Sequence, residues 1–170
     1  MSDTCMHWSG FETPVGTLRL VADAQGLRRV CVIGSPDEVP SEWVRSDDAL
    51  AGVRAQLEEY FAGTRRTFDL TLAPEGSPFD HATWDALRGI PHGATISYAE
   101  LARRVGRPGA SRAVGGANGR NPLAIVIPCH RVVASDGTLG GYAGGLDMKR
   151  LLLGLEGVRP FADRELLPLR

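Results

Sequence analysis

The stretch Ala124-Ile125-Val126-Ile127-Pro128-Cys129-His130-Arg131-Val132-Val133 decides how this chain is read. The unbroken apolar run from Ala124 to Ile127 predicts a buried strand. Pro128 then stiffens the backbone directly before a cysteine, and His130 and Arg131 bring cationic groups beside it. A free thiol has a pKa of about 8.5, so a nearby base or cation increases the thiolate that attacks at neutral pH. On a strand, adjacent side chains point to opposite faces, so His130 reaches Cys129 only through a kink or a bridging water. A buried cysteine beside a surface histidine is the commoner arrangement, and the pair alone leaves both readings open.

Outward from this core, Gly140-Gly141-Tyr142-Ala143-Gly144-Gly145 reads as a loop able to bring backbone N–H groups close to a ligand. Asp147 is expected to cap a helix over 148–155 that packs through Leu151, Leu152 and Leu155. Glu156 stands at the end of that helix, where the dipole disfavours an anion, so it needs a partner or solvent; His130 is one candidate. Upstream, 79–88 reads as a helix with Trp84 and Leu87 facing inward. Ser97-Tyr98-Ala99-Glu100 fits a capping box opening a helix over 98–105. Gly106-Arg107-Pro108-Gly109 breaks it before a second helix over 110–118. Two short helices joined by such a turn are a helix-turn-helix. The second carries small residues at Ala110, Ser111, Ala113, Gly115, Gly116 and Ala117. That smooth surface suits either a nucleic-acid backbone or another helix, and Arg112 is the one long cation on it.

The N-terminal part has a different pattern. Residues 11–23 alternate around Pro14 and Gly16, Ala24-Gln25-Gly26 marks a turn, and 27–33 is a β-branched run, which predicts an antiparallel hairpin or meander. Asp47 or Asp48 is expected to cap a helix carrying Leu50, Val53, Leu57, Tyr60 and Phe61, ended by Gly63, and 67–72 reads as a short strand. Pro74-Glu75-Gly76-Ser77-Pro78 reads as a linker. The expected fold is therefore α+β: an N-terminal subdomain with antiparallel strands over 1–76 and a mainly helical one with the helix-turn-helix over 77–170.

Composition narrows the class. The chain has 170 residues, 43% hydrophobic and 23% charged, the profile of a globular protein. Its longest apolar run, Leu123 to Cys129, falls far short of the ~20 residues of a membrane helix. Met1-Ser2-Asp3 opens no signal peptide, and Cys5, Cys31 and Cys129 are too few for a disulfide scaffold. The expectation is a cytoplasmic protein. Its net charge of −1 hides an asymmetry: residues 1–85 carry 7 Arg against 14 acids, whereas 86–170 carry 11 Arg and one Lys against 6. Six Arg and no acid lie between Leu101 and Ser135, which suits a polyanionic partner for the C-terminal part.

Arg112-Ala-Val-Gly-Gly-Ala, Asn121-Pro122 and Ile127-Pro-Cys-His-Arg-Val-Val133 resemble the signature of the O6-alkylguanine-DNA alkyltransferases, the methylated-DNA–protein-cysteine methyltransferases. Ser97-Tyr98, Gly141-Tyr142-Ala-Gly-Gly145 and Leu155-Glu156-Gly157 match in order and spacing, so the likeness is strong over 77–157 and weak over the N-terminal part. The resemblance implies a ribonuclease H-like N-terminal subdomain and a single-turnover repair protein. Such a protein binds alkylated double-stranded DNA through the minor groove, flips out O6-alkylguanine (O4-alkylthymine also), and takes the alkyl group onto Cys129. It implies Cys129 as nucleophile, His130 as water-assisted base and Glu156 as the residue orienting His130. Tyr98 would donate toward N3 of the flipped base, and Asn121 would tie the DNA-binding helix to the cysteine loop. Tyr142 and the Ala143 backbone would line the pocket, and the carbonyls of Cys129 and Val132 would accept from the exocyclic amine. Arg112 would fill the gap in the base stack, with Ser97, Ser111, Ala113 and Gly115 on the DNA side. Arg120 and Ser135 would join them, Arg120 standing in for a basic residue that some relatives carry near position 119. A monomer, able to load cooperatively on DNA, is the implied state.

No cofactor is signalled. Certain relatives hold zinc through N-terminal Cys and His, but here Asp23 and Arg28 accompany Cys5 and His7, so no metal is expected. Two other classes compete on the residues alone. A non-catalytic sensor of alkylated DNA would have no use for Cys129, and a cysteine hydrolase built on Cys129, His130 and Glu156 would turn over without DNA.

Overall fold

The computed structural model describes residues 5–33 and 39–158; Met1-Ser2-Asp3 lies outside them. The chain divides into two compact units, Met1–Glu75 with Pro122–Val126, and Gly76–Asn121 with Ile127–Arg170.

The N-terminal strands form a meander. β1 (His7–Thr13), β2 (Gly16–Asp23) and β3 (Gly26–Val32) pair antiparallel, and a short β4 (Val44–Arg45) adds parallel to β1, giving the order β3-β2-β1-β4. Turn chemistry sets the register. Thr13 Oγ1 donates to the Gly16 carbonyl at 2.6 Å and accepts from the Val15 N–H at 3.2 Å. Gly26 has φ +145°, and a Cβ there would lie 2.6 Å from the Thr71 carbonyl, so only glycine fits. Helix α1 (Ala51–Phe61) buries Leu57 and Tyr60, with Leu50 buried at its N-terminus.

Three expectations for this unit fail. Neither Asp47 nor Asp48 caps α1 with its side chain, since Leu50 is the N-cap. Asp47 instead accepts from Ser9 Oγ at 2.7 Å, because the buried Ser9 hydroxyl needs an acceptor. Residues 67–72 form no strand. Gln56 binds the Asp69 backbone from both its amide atoms (2.9 and 3.0 Å), and Leu72 makes only an isolated bridge to Leu27. Residues 125–127 are buried and Ala124 is half-buried, but the segment turns rather than extends. Leu123 bridges Val30, the Val126 N–H donates to the Ala124 carbonyl at 2.8 Å, and Ile125 sits at φ +73°. A β-branched residue in that region costs about 1–3 kcal/mol, which surrounding packing must offset. Burial without alternation cannot separate strand from turn.

In the second unit, α2 (Pro78–Arg88) opens on a capping box. Ser77 Oγ accepts from the Asp80 N–H, and the Asp80 carboxylate accepts from the Ser77 N–H, both at 3.1 Å. Trp84 and Leu87 are buried, as their spacing requires. Helices α3 (Tyr98–Arg104) and α4 (Ser111–Gly119) pack on each other and α4 also packs on α2. Strands β5 (Ile96–Ser97) and β6 (Val132–Val133) pair parallel. The Ser97 box is only half made: Ser97 Oγ accepts from the Glu100 N–H at 3.1 Å, but the Glu100 carboxylate turns to Arg103 and Arg104. Helix α5 (Leu146–Leu155) is capped by Gly145, not Asp147, which pairs with Arg150 at 2.9 Å. Its buried face is Met148, Lys149, Leu152 and Leu153; Leu155 is exposed and Leu151 half-buried, so the expected stripe holds only at Leu152. Among the described residues no helix is long and apolar enough to cross a membrane.

Candidate active site

Pro128 ends the buried turn, and Cys129–Arg131 continue as a single turn of 3-10 helix rather than a strand. This kink places consecutive side chains closer in direction than a pleat allows. All three residues are buried, so His130 is not a surface histidine.

Glu156 arrives from the far end of α5. Its Oε1 lies 2.8 Å from His130 Nε2, and its two oxygens accept from the Arg131 guanidinium at 2.7 and 2.9 Å. Arg131 also donates to the Ile90 carbonyl at 2.7 Å. Burial alone raises a carboxyl pKa, but the His130 and Arg131 hydrogen bonds reverse this and hold Glu156 far below the usual carboxylate range. Burial pushes the His130 imidazole down, against the raising pull of Glu156. The result is a neutral imidazole beside an anion. Nε2 then carries the proton and donates to Glu156, which leaves Nδ1 as an acceptor. Nδ1 is buried and has no protein partner among the described residues.

Burial pushes the Cys129 thiol up, while hydrogen bonds involving Asn121 and Tyr142 and the Lys149 charge pull it back. Asn121, just past α4, also donates from Nδ2 to the Ile127 carbonyl at 2.8 Å. Tyr98 donates to the Gly141 carbonyl at 3.3 Å, and burial raises its phenol. Gly140 (φ +70°) lets the loop close on that ring, since a Cβ there would lie 3.0 Å from it. Tyr142 is half-buried and Ala143 exposed. The Val132 carbonyl accepts from Lys149 at 2.7 Å, and the Cys129 carbonyl from Asn118 at 3.3 Å and the Val132 N–H.

The remaining candidates lie on or near the helix pair. Arg112 and Ala113 are exposed on α4, while Ser111 and Gly115 are half-buried, Gly115 facing the Tyr98 ring. Ser97 caps α3, and Ser135 is exposed in the turn after β6. Arg120 is bound to Asp80 at 2.7 and 3.0 Å, an engagement its spacing did not reveal.

Sequence reasoning missed Lys149 and Asn118 as parts of this site, and it read Arg131 as a cation beside the thiol rather than as the partner of Glu156. Lys149 is fully buried and donates to the carbonyls of Val132, Gly141 (3.1 Å) and Leu139. Burial lowers its ammonium to about 8, against the raising pull of Cys129. One signal was available: Lys149 is the only lysine among 19 basic side chains. A compact ammonium with three donors fits three converging carbonyls where a planar guanidinium does not.

Fold and site together define a protein with a buried thiol adjoining a buried imidazole–carboxylate pair, and with an arginine-bearing helix pair. Residues 78–158 match the model for the 6-O-methylguanine DNA methyltransferase, DNA binding domain, and 6–74 match that for its ribonuclease-like domain. The methylated-DNA–protein-cysteine methyltransferase of Methanosarcina acetivorans is 48% identical over 154 residues, 89% of this chain and 99% of that one. The Mycobacterium bovis protein of the same name is 43% identical over 160 residues, 93% and 96% of the two chains. The crystal structure of Mycobacterium tuberculosis OGT in complex with DNA superposes with a TM-score of 0.84 at 42% identity, over 94% of this chain and 98% of that one. The chain belongs to the methylated-DNA–protein-cysteine methyltransferase family, with its α+β fold and ribonuclease-like N-terminal part.

Proposed function

We propose that the chain repairs DNA by moving the alkyl group of O6-alkylguanine, and of O4-alkylthymine, irreversibly onto Cys129. The Cys129 proton passes through a water to His130 Nδ1, whose opposite nitrogen is already committed to Glu156. The thiolate attacks the alkyl carbon, the carbon–sulfur bond forms as the carbon–O6 bond breaks, and the base leaves with the electron pair. Tyr98 exchanges the Gly141 carbonyl for N3, and the Ala143 N–H donates toward O6, which stabilises the charge that develops there. The carbonyls of Cys129 and Val132 accept from the exocyclic amine, and Tyr142 lines the pocket.

Chemistry at O6 requires the base to leave the stack, which costs a few kcal/mol. The helix-turn-helix of α3 and α4 enters the minor groove, and the exposed Arg112 fills the gap. Ser97, Ser111, Ala113, Gly115 and Ser135 lie against the backbone, and Arg120 exchanges Asp80 for a phosphate. Residues 77–170 are the DNA-binding and acceptor subdomain, and 1–76 a structural one. The protein acts as a cytoplasmic monomer that can load cooperatively, and it needs no cofactor. The observation that carries this reading is the 2.8 Å contact of Glu156 with a buried imidazole next to a cysteine.

Stoichiometry tests it. With excess duplex containing O6-methylguanine, repaired base should equal protein added and then stop. Continued turnover would contradict irreversible transfer.

A further inference from the structure

We propose that Asn118 is a positioning residue for the nucleophile, holding the peptide that links Cys129 to His130. This rests on Cys129 being the alkyl acceptor. The last turn of α4 is pinned on one side to α2: Trp84 Nε1 donates to the Ala117 carbonyl at 2.9 Å, and Arg120 pairs with Asp80. On its other side it reaches the cysteine loop twice, through Asn121 to the Ile127 carbonyl and through Asn118 Nδ2 to the Cys129 carbonyl at 3.3 Å.

The second donor to the Cys129 carbonyl is the Val132 N–H. Two donors therefore reach that oxygen, and the peptide plane is set from two directions. Rotation of this plane would swing the thiol and the imidazole together, because it joins their two residues. Asn118 thus ties the orientation of the nucleophile and its base to the helix that carries Arg112.

The amide of Asn118 also stands at a cost. The residue is 5% exposed, and its Oδ1 has no hydrogen-bond donor among the described residues. A buried, unsatisfied acceptor is destabilising, and a leucine of similar volume would remove it. Stability alone does not call for asparagine here; the bond made by Nδ2 does.

The test compares single-turnover transfer by wild type, Asn118→Leu and Asn118→Asp from a duplex with one O6-methylguanine and from the free modified base. Asn118→Leu should keep the wild-type Tm or exceed it and keep the duplex Kd. Both transfer rates should fall by the same factor, about three- to tenfold, the value of one neutral hydrogen bond. The pH of half-maximal rate should rise, because a less well aligned base leaves the thiol protonated longer. Asn118→Asp, isosteric but without the donor, should be at least as slow. Wild-type rates in either variant would overturn the assignment, as would a loss confined to duplex and matched by weaker binding. Absence of transfer by the wild-type protein would instead overturn the proposed function.

Discussion

Glu156 Oε1 stands 2.8 Å from Nε2 of His130, with both side chains fully buried. The pair joins the end of α5 to the turn that carries Cys129, the proposed nucleophile, and Arg131 supplies counter-charge that keeps Glu156 ionised. With the carboxylate holding Nε2–H, Nδ1 of the neutral imidazole is left to act as the base in the proposed transfer.

That electrostatic arrangement fixes a pH dependence. His130 is lowered below its unfolded value of about 6.5, and Glu156 is lowered below its unfolded value of about 4.3. In both cases the unfolded chain binds more protons as pH falls, so stability is lost in the acid direction. The Tm should decline below about pH 6.5 and more steeply below about pH 4.3. Thermal melts of Glu156→Gln should show a shallower acid limb than those of the wild type. A Tm constant from pH 7 to pH 4 would refute the buried neutral pair.

Lys149 closes the loop that faces Tyr98 by joining the carbonyls of Val132, Leu139 and Gly141. Lys149→Met takes a donor from all three, leaving Gly141 its bond from Tyr98, at about 2–4 kcal/mol. Calorimetry should show a Tm lower by roughly 5–15 °C, together with slower alkyl transfer. An unchanged melt would mean the carbonyls find other donors.

Arg112 is exposed on α4 and makes no ion pair among the described residues. Arg112→Ala should slow transfer from duplex by about tenfold or more, given the cost of base extrusion. Transfer from the free modified base should change less than twofold. Equal losses on both substrates would remove Arg112 from the base stack.

Asp80 holds Arg120 while also capping α2, and the Arg120 guanidinium lowers its carboxyl pKa. Asp80→Asn should lower the Tm by about 2–4 °C, an effect of ~1 kcal/mol. The same change frees Arg120, so duplex binding should tighten at low salt. Arg120→Ala, which removes the contact, should flatten the dependence of log K on log salt by about one phosphate contact. An unchanged slope would show that Arg120 meets no phosphate.

Much of this was legible in the sequence because it depends on local rules. The β1–β2–β3 meander follows from alternation and turn residues, and Trp84 and Leu87 from helical spacing. Glu156 was marked by its awkward place at a helix end. What was not legible depends on partners distant in sequence. Asp47 serves Ser9 instead of α1, Gln56 replaces a strand pairing at Asp69, and Lys149 gathers the carbonyls of Val132, Leu139 and Gly141. The turn at Ile125 was hidden because its residues are as buried as a strand would be. The same turn explains how Cys129 and His130 come to share a 3-10 turn instead of opposite faces.

The central claim is that the Cys129 sulfur keeps the alkyl group. Intact-mass analysis with peptide mapping, after incubation with an O6-methylguanine duplex, tests it most directly. The account predicts one added methyl group per molecule, located on Cys129 and absent from Cys129→Ser. A methyl group on Cys5 or Cys31, or full transfer by Cys129→Ser, would contradict it.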